Sequence, residues 1–85
     1  MEYVVVAFRS RAHTVKFHGF ITANGIRSEI INTPKEAGVG CGLSVKVSKS
    51  DFSTVKRAVA FASLNSFAGF FLVKIIQGKK LVRTI

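Results

Sequence analysis

The spacing of apolar positions changes several times along the chain, and each change marks an element. Tyr3 to Phe8 is an unbroken β-branched and aromatic run, the pattern of a strand buried on both faces. Ser10 then offers a side-chain oxygen to the free N–H groups of a helix start, and a mixed polar and apolar stretch runs to Asn24-Gly25, a helix stop. Phe17, Phe20 and Ile21 share one face of this helix with Val15 to one side, an imperfect stripe. Ile26 to Ile31 reads as a second strand. Thr33 to Gly40 holds the only proline and two glycines and reads as a loop. Leu43, Val45 and Val47 alternate with Ser44, Lys46 and Ser48, which predicts a strand with one face in water. Ser50-Asp51 caps a second helix, where Phe52, Val55, Val59 and Ala62 recur at spacings of three and four and Lys56 and Arg57 lie opposite. Gly69 breaks that pattern and Phe70 to Ile76 gives another strand. Gln77-Gly78-Lys79-Lys80 has the composition of a hairpin turn, from which Leu81 to Thr84 returns as a short extra strand.

The order strand, helix, strand, strand, helix, strand predicts an α+β protein. More specifically it suits a ferredoxin-like split βαβ sandwich, with two helices on one face of an antiparallel sheet and a short C-terminal strand added. A chain of 85 residues is too short for two cores, so residues 1–85 are expected to form one domain. The fold serves RNA binders, metal chaperones, sensors and enzymes, so function has to be argued from a site.

Charge changes the picture next. Thirteen Lys and Arg against four acids give a net +9, a field that attracts nucleic acid, acidic protein surfaces and anionic lipid alike. The basic residues are spread along the chain, and no block of them marks a tail or membrane anchor. No apolar run nears the roughly 20 residues that span a bilayer, and no signal-peptide pattern opens the chain, so a cytoplasmic protein without membrane attachment is expected. One cysteine excludes an internal disulfide and a cysteine-only metal cage. His13 and His18 fall about 140° apart around a helix and cannot grip one metal together, so no metal or other cofactor is expected.

The most unusual stretch is Thr33-Pro34-Lys35-Glu36-Ala37-Gly38-Val39-Gly40-Cys41-Gly42-Leu43, where Cys41 sits between Gly40 and Gly42 at a loop-to-strand junction. Glycines there remove bulk and permit positive φ, so a reactant can approach the sulfur. In a split βαβ arrangement this loop lies at the sheet edge where the first helix begins. That would bring Cys41 near Arg9, Ser10 and Arg11, whose charges, with the helix N-terminus, would favour a thiolate or a bound anion. The competing reading is that Cys41 is a small core hydrophobe, and spacing alone does not separate the two. His13 could approach Cys41 as a proton acceptor, or be an ordinary exposed histidine.

The residues Thr33-Pro34, a short variable stretch, then Cys41-Gly42-Leu43 and an alternating strand resemble the selenium/sulfur carrier-like family of small bacterial proteins. The resemblance covers about residues 3 to 64, through the Ser10 helix start, Gly25-Ile26 and the helix beginning near Asp51. It implies a carrier, more than a turnover enzyme, whose Cys41 holds sulfur or selenium as a persulfide or selenosulfide between a donor protein and an acceptor protein. Thr33, Pro34, Gly40 and Gly42 would then shape the loop around it. The chain departs from the family's expected look in its strong basicity and in its continuation through Gln77 to Ile85. Two alternatives from other classes stand beside this one. The first is a basic nucleic-acid binder, which would need Tyr3, Phe8, Phe70 or Phe71 exposed for base stacking. The second is a small regulatory or assembly module that pairs as a homodimer through a sheet edge or through Phe70 to Ile76.

Overall fold

The apolar run near the N-terminus becomes the middle of the molecule. In the computed structural model, which describes residues 1–85, β1 (Glu2–Phe8) pairs antiparallel with β3 (Leu43–Ser48) on one side and β4 (Phe67–Ile76) on the other. β2 (Ser28–Asn32) lies outside β3 and β5 (Lys79–Thr84) outside β4, giving a five-stranded antiparallel sheet ordered β2-β3-β1-β4-β5. β1 and β2, joined in sequence by α1 (Arg11–Ala23), are therefore separated in space by β3. With a partner strand on each side and both faces covered, Val4 through Phe8 are fully buried, and each large apolar side chain among them contributes about 1.5–3 kcal/mol by leaving water.

Alternation along β1 builds two apolar layers. Val4, Val6 and Phe8 point toward α1 and α2 (Phe52–Ala62), where they meet Phe17 and Ile21 of α1 and Val55 of α2. Tyr3, Val5 and Ala7 point to the other face, with Phe71 and Val73 of β4. That second face is not open to water as the alternation in β3 suggested. Ala37 and Val39, from the segment between β2 and β3, pack onto it together with Val82 of β5. Beneath them Ser44 is buried, while the half-buried Lys46 holds its ammonium 4.5 Å from the Tyr3 ring centre.

Four boundaries differ from the sequence expectation, each for a local reason. β2 begins at Ser28, because Ile26 donates its N–H to the Ile21 carbonyl at the end of α1 and packs against the core there. α2 is preceded by a 3-10 turn at Lys49–Asp51; its cap bond runs from the Ser50 N–H to the Ser48 hydroxyl, and Asp51 makes none. β4 starts at Phe67 and runs through Gly69: Ala7 faces Gly69 and Phe8 faces Phe67, leaving Ala68 as the extra residue of a bulge. Gly69 takes φ +146 there, a backbone region that suits glycine. The hairpin turn is Gln77-Gly78, both at positive φ, and β5 opens directly after it at Lys79. No helix is long and apolar enough to cross a membrane.

Candidate functional site

The loop that carries Cys41 is tied down at three points. At its base Thr33 donates its N–H to the Gly42 carbonyl (2.9 Å), and the Thr33 and Ser44 hydroxyls are 2.6 Å apart. Pro34, buried, opens a 3-10 turn at Lys35–Ala37 that Gly38 closes in the left-handed conformation. The chain then crosses the second sheet face on Ala37 and Val39. Gly40 brings it against the end of β1, where the Cys41 N–H donates to the Phe8 carbonyl at 3.1 Å. A Cβ on Gly40 would sit 3.3 Å from that same carbonyl oxygen, and the residue's φ is +97. Gly42 also has a positive φ of +95, but faces open space. Residues 33–42 thus form a strap over the end of the sheet, with the cysteine at its exit.

Cys41 is half-buried and its sulfur turns toward α1. Sγ lies 3.7 Å from Thr14 Oγ1 and 3.6 Å from the Leu43 carbonyl oxygen. Thr14 is fully buried, and its hydroxyl is also within 3.1 Å of the Ser10 carbonyl and 3.3 Å of the Leu43 carbonyl. A hydroxyl has one proton, so Thr14 can donate to only one of these acceptors at a time. An anionic sulfur is the stronger attractor, because hydrogen bonds to charged partners are roughly twice as strong as neutral ones.

Ser10 caps α1, accepting from the His13 N–H at 3.2 Å. Arg9 and Arg11 flank it with exposed side chains, and neither forms a hydrogen bond to Sγ. Arg9 is held through its backbone, its N–H donating to the Ser66 carbonyl at 2.7 Å. His13 does not turn to the sulfur; its Nδ1 lies 2.5 Å from the Ser66 hydroxyl, bridging α1 to the start of β4. His18 is likewise paired with Ser28, at 2.7 Å. A shallow hollow of about 250 Å³ lies between Thr33-Pro34-Lys35 and Gly38-Val39-Gly40, and Cys41 does not line it. The sulfur's direct neighbour, Thr14, is the one the sequence did not nominate. The available signal was a polar residue in line with Phe17 and Ile21, at spacings of three and four, inside the apolar stripe.

Tyr3, Phe8, Phe70 and Phe71, the rings on which bases would have to stack, are all buried. A family model described as "Putative Se/S carrier protein-like" matches residues 3–65, which takes in β1, the strap, Cys41 and α2. No curated protein and no solved structure matches the chain.

Proposed function

The chain belongs to the Se/S carrier protein-like family, and from that membership we propose that it carries sulfur or selenium on Cys41 between a donor and an acceptor protein. The observation that carries the reading is the cysteine's setting. A single thiol stands at the end of an anchored strap, half-buried, against a buried hydroxyl and beside the open Gly42. The strand order β2-β3-β1-β4, with both helices on one apolar layer, supports reading residues 1–85 as one ferredoxin-like domain with β5 added at the edge.

The transfer needs no oxidant. The Cys41 thiolate attacks the terminal sulfur of a donor persulfide; a new S–S bond forms at Cys41, the donor's S–S bond breaks, and the donor leaves as a thiolate. An acceptor nucleophile then attacks the terminal sulfur held on Cys41, and the carrier's thiolate is regenerated. Having one cysteine matters here, because a second nearby thiol would attack the persulfide and release its sulfur while closing a disulfide. In this scheme Thr14 donates to the sulfur when it is anionic and returns to the Ser10 carbonyl when it is not. The exposed Arg9 and Arg11 add positive potential at the helix start.

Intact mass tests the reading. After incubation with a cysteine desulfurase and cysteine, without reductant, the protein gains a reductant-labile sulfur that maps to Cys41 and is absent from Cys41→Ser. A protein that stays unmodified while its thiol alkylates freely would contradict it.

A further inference from the structure

The furrow between α1 and α2 is lined by neither Cys41 nor its strap, and its lining is largely apolar. Phe61, on the last turn of α2, is 80% exposed, more than any other large hydrophobic residue. It does not hang free: its ring lies parallel to that of Phe20 on α1, with centroids 6.0 Å apart and planes 4° from coplanar. Two adjoining hollows of about 520 and 220 Å³ meet at this pair, floored by Ile21, Ile26 and Ala58 on one side and by Phe17 and Leu64 on the other. An aromatic side chain buries roughly 150–250 Å² when covered, and an isolated soluble protein gains nothing by leaving such a ring in water.

Charge says what covers it. The only charged residues lining the two hollows are Arg57 and Lys16, both exposed, and the molecule's ion pairs all involve Glu2 at the far edge of β1. Neither helix contains an acid: Glu2, Glu29, Glu36 and Asp51 all lie outside them. An apolar floor with unpaired cations on its rims complements a helix that carries an apolar stripe flanked by carboxylates. A second copy of this chain would bring the same cations to the same surface, at +9 on each molecule, so self-docking is opposed.

We propose that the α1–α2 furrow docks an acidic amphipathic helix of a partner protein, with an apolar side chain against Phe61 and carboxylates on Lys16 and Arg57. Identifying that partner as a sulfur donor or acceptor rests on the carrier reading. α1 links the two, since Thr14 on its first turns touches Cys41 and Phe20 further along holds the furrow. A partner on the furrow therefore engages the same helix that Cys41 touches through Thr14. The docking itself depends only on the surface.

The test uses the full chain and a fluorescein-labelled synthetic helix with a leucine stripe flanked by glutamates, followed by anisotropy. A twin peptide with lysines in place of the glutamates is the control. The acidic peptide binds and its twin does not. Phe61→Ser weakens binding by about tenfold or more, as loss of a buried aromatic anchor does. Arg57→Glu weakens it too, and added salt erodes it. Both variants remove exposed side chains, and an unchanged circular dichroism spectrum confirms that they fold. No binding, equal binding of the twins, or indifference to Phe61→Ser overturns the proposal. So does a Phe61-dependent preference for phosphatidylglycerol vesicles or single-stranded RNA over the peptide. Cys41→Ser binds the peptide as the wild type does, so a chain that binds but never accepts sulfur refutes the carrier reading and leaves the docking surface standing.

Discussion

Thr14 is the side chain whose hydroxyl lies against the Cys41 sulfur, 3.7 Å away. Its buried hydroxyl has two carbonyls and one sulfur within reach, so its proton follows whichever carries the most negative charge. Thr14→Val keeps the shape and removes the donor. It should slow iodoacetamide alkylation of Cys41 at neutral pH by about tenfold, the scale of a hydrogen bond to a charged group, and Thr14→Ser should restore the rate. An unaltered rate in a folded Thr14→Val protein would remove Thr14 from the account. Cys41 stood out in the sequence because glycines flank it, whereas its contact with Thr14 joins segments 27 positions apart and has no local signature. Arg9 and Arg11 are nominated by their place at the start of the first helix. Sequence does fix that place, but it does not fix the direction of a long exposed side chain.

At the scale of elements, the strap over residues 33–42 matters most. Gly40 and Gly42 both need positive φ, but only at Gly40 would a side chain also press on the backbone, at the Phe8 carbonyl that anchors Cys41. Gly40→Ala should therefore cost about 1–2 kcal/mol from the left-handed backbone alone, and more from the contact. Gly42→Ala should carry the backbone cost only. Paired urea titrations check this, and equal losses would mean that the strap yields at Gly40. The loop itself was legible from its proline and glycines. Its course across the sheet was not, because Ala37 and Val39 are apolar residues in a stretch with no period to assign them a face. Elements whose signal is local came through: the β1 run and the α2 stripe stand where the pattern put them, and the expected Gln77–Lys80 turn is there but tighter, closing at Gln77-Gly78 with Lys79 and Lys80 already in β5.

A second element-scale prediction concerns the outer end of β1. Glu2 lies 3.4 Å from Lys49 and 3.6 Å from Lys74, joining the 3-10 turn and β4 to the first strand. Partial desolvation pushes its carboxyl up, but the hydrogen bond and charge of Lys49 and the charge of Lys74 together outweigh this and hold it below the ordinary value. With the folded value below the unfolded one, the clasp stabilises at pH above the unfolded value and is lost as pH falls through the folded one. Glu2→Gln should thus show a flatter stability profile than the wild type on acidification past the carboxylate range, and nearly the same stability below it. Superimposable profiles would mean that this exposed clasp contributes nothing.

For the whole molecule, the family match and the physical reading meet over different parts of the chain. The match ends at residue 65, before β4 and β5, yet β4 flanks the central strand and supplies Phe70 and Leu72 to the helix-side core. The C-terminal hairpin is therefore part of this chain's fold even though the family pattern stops short of it. Strand, helix and sheet class were readable because an 85-residue chain with one cysteine and short connections leaves few ways to cover a strand as apolar as β1. The positive charge was readable too, but its meaning was not. Only the folded arrangement shows that both helices lack acids and that Lys16 and Arg57 rim an apolar furrow holding the exposed Phe61, while Tyr3, Phe8, Phe70 and Phe71 are buried.

Carriage means release as well as acceptance, so the most direct measurement is a single-turnover hand-off. The protein is loaded with radiolabelled sulfur by a desulfurase, separated from it, and mixed with a low-molecular-weight thiol acceptor. Label bound at Cys41 is expected to leave for the acceptor without net oxidation, and the freed protein to reload. Label that never attaches to Cys41, or that attaches and cannot be passed on, would contradict it.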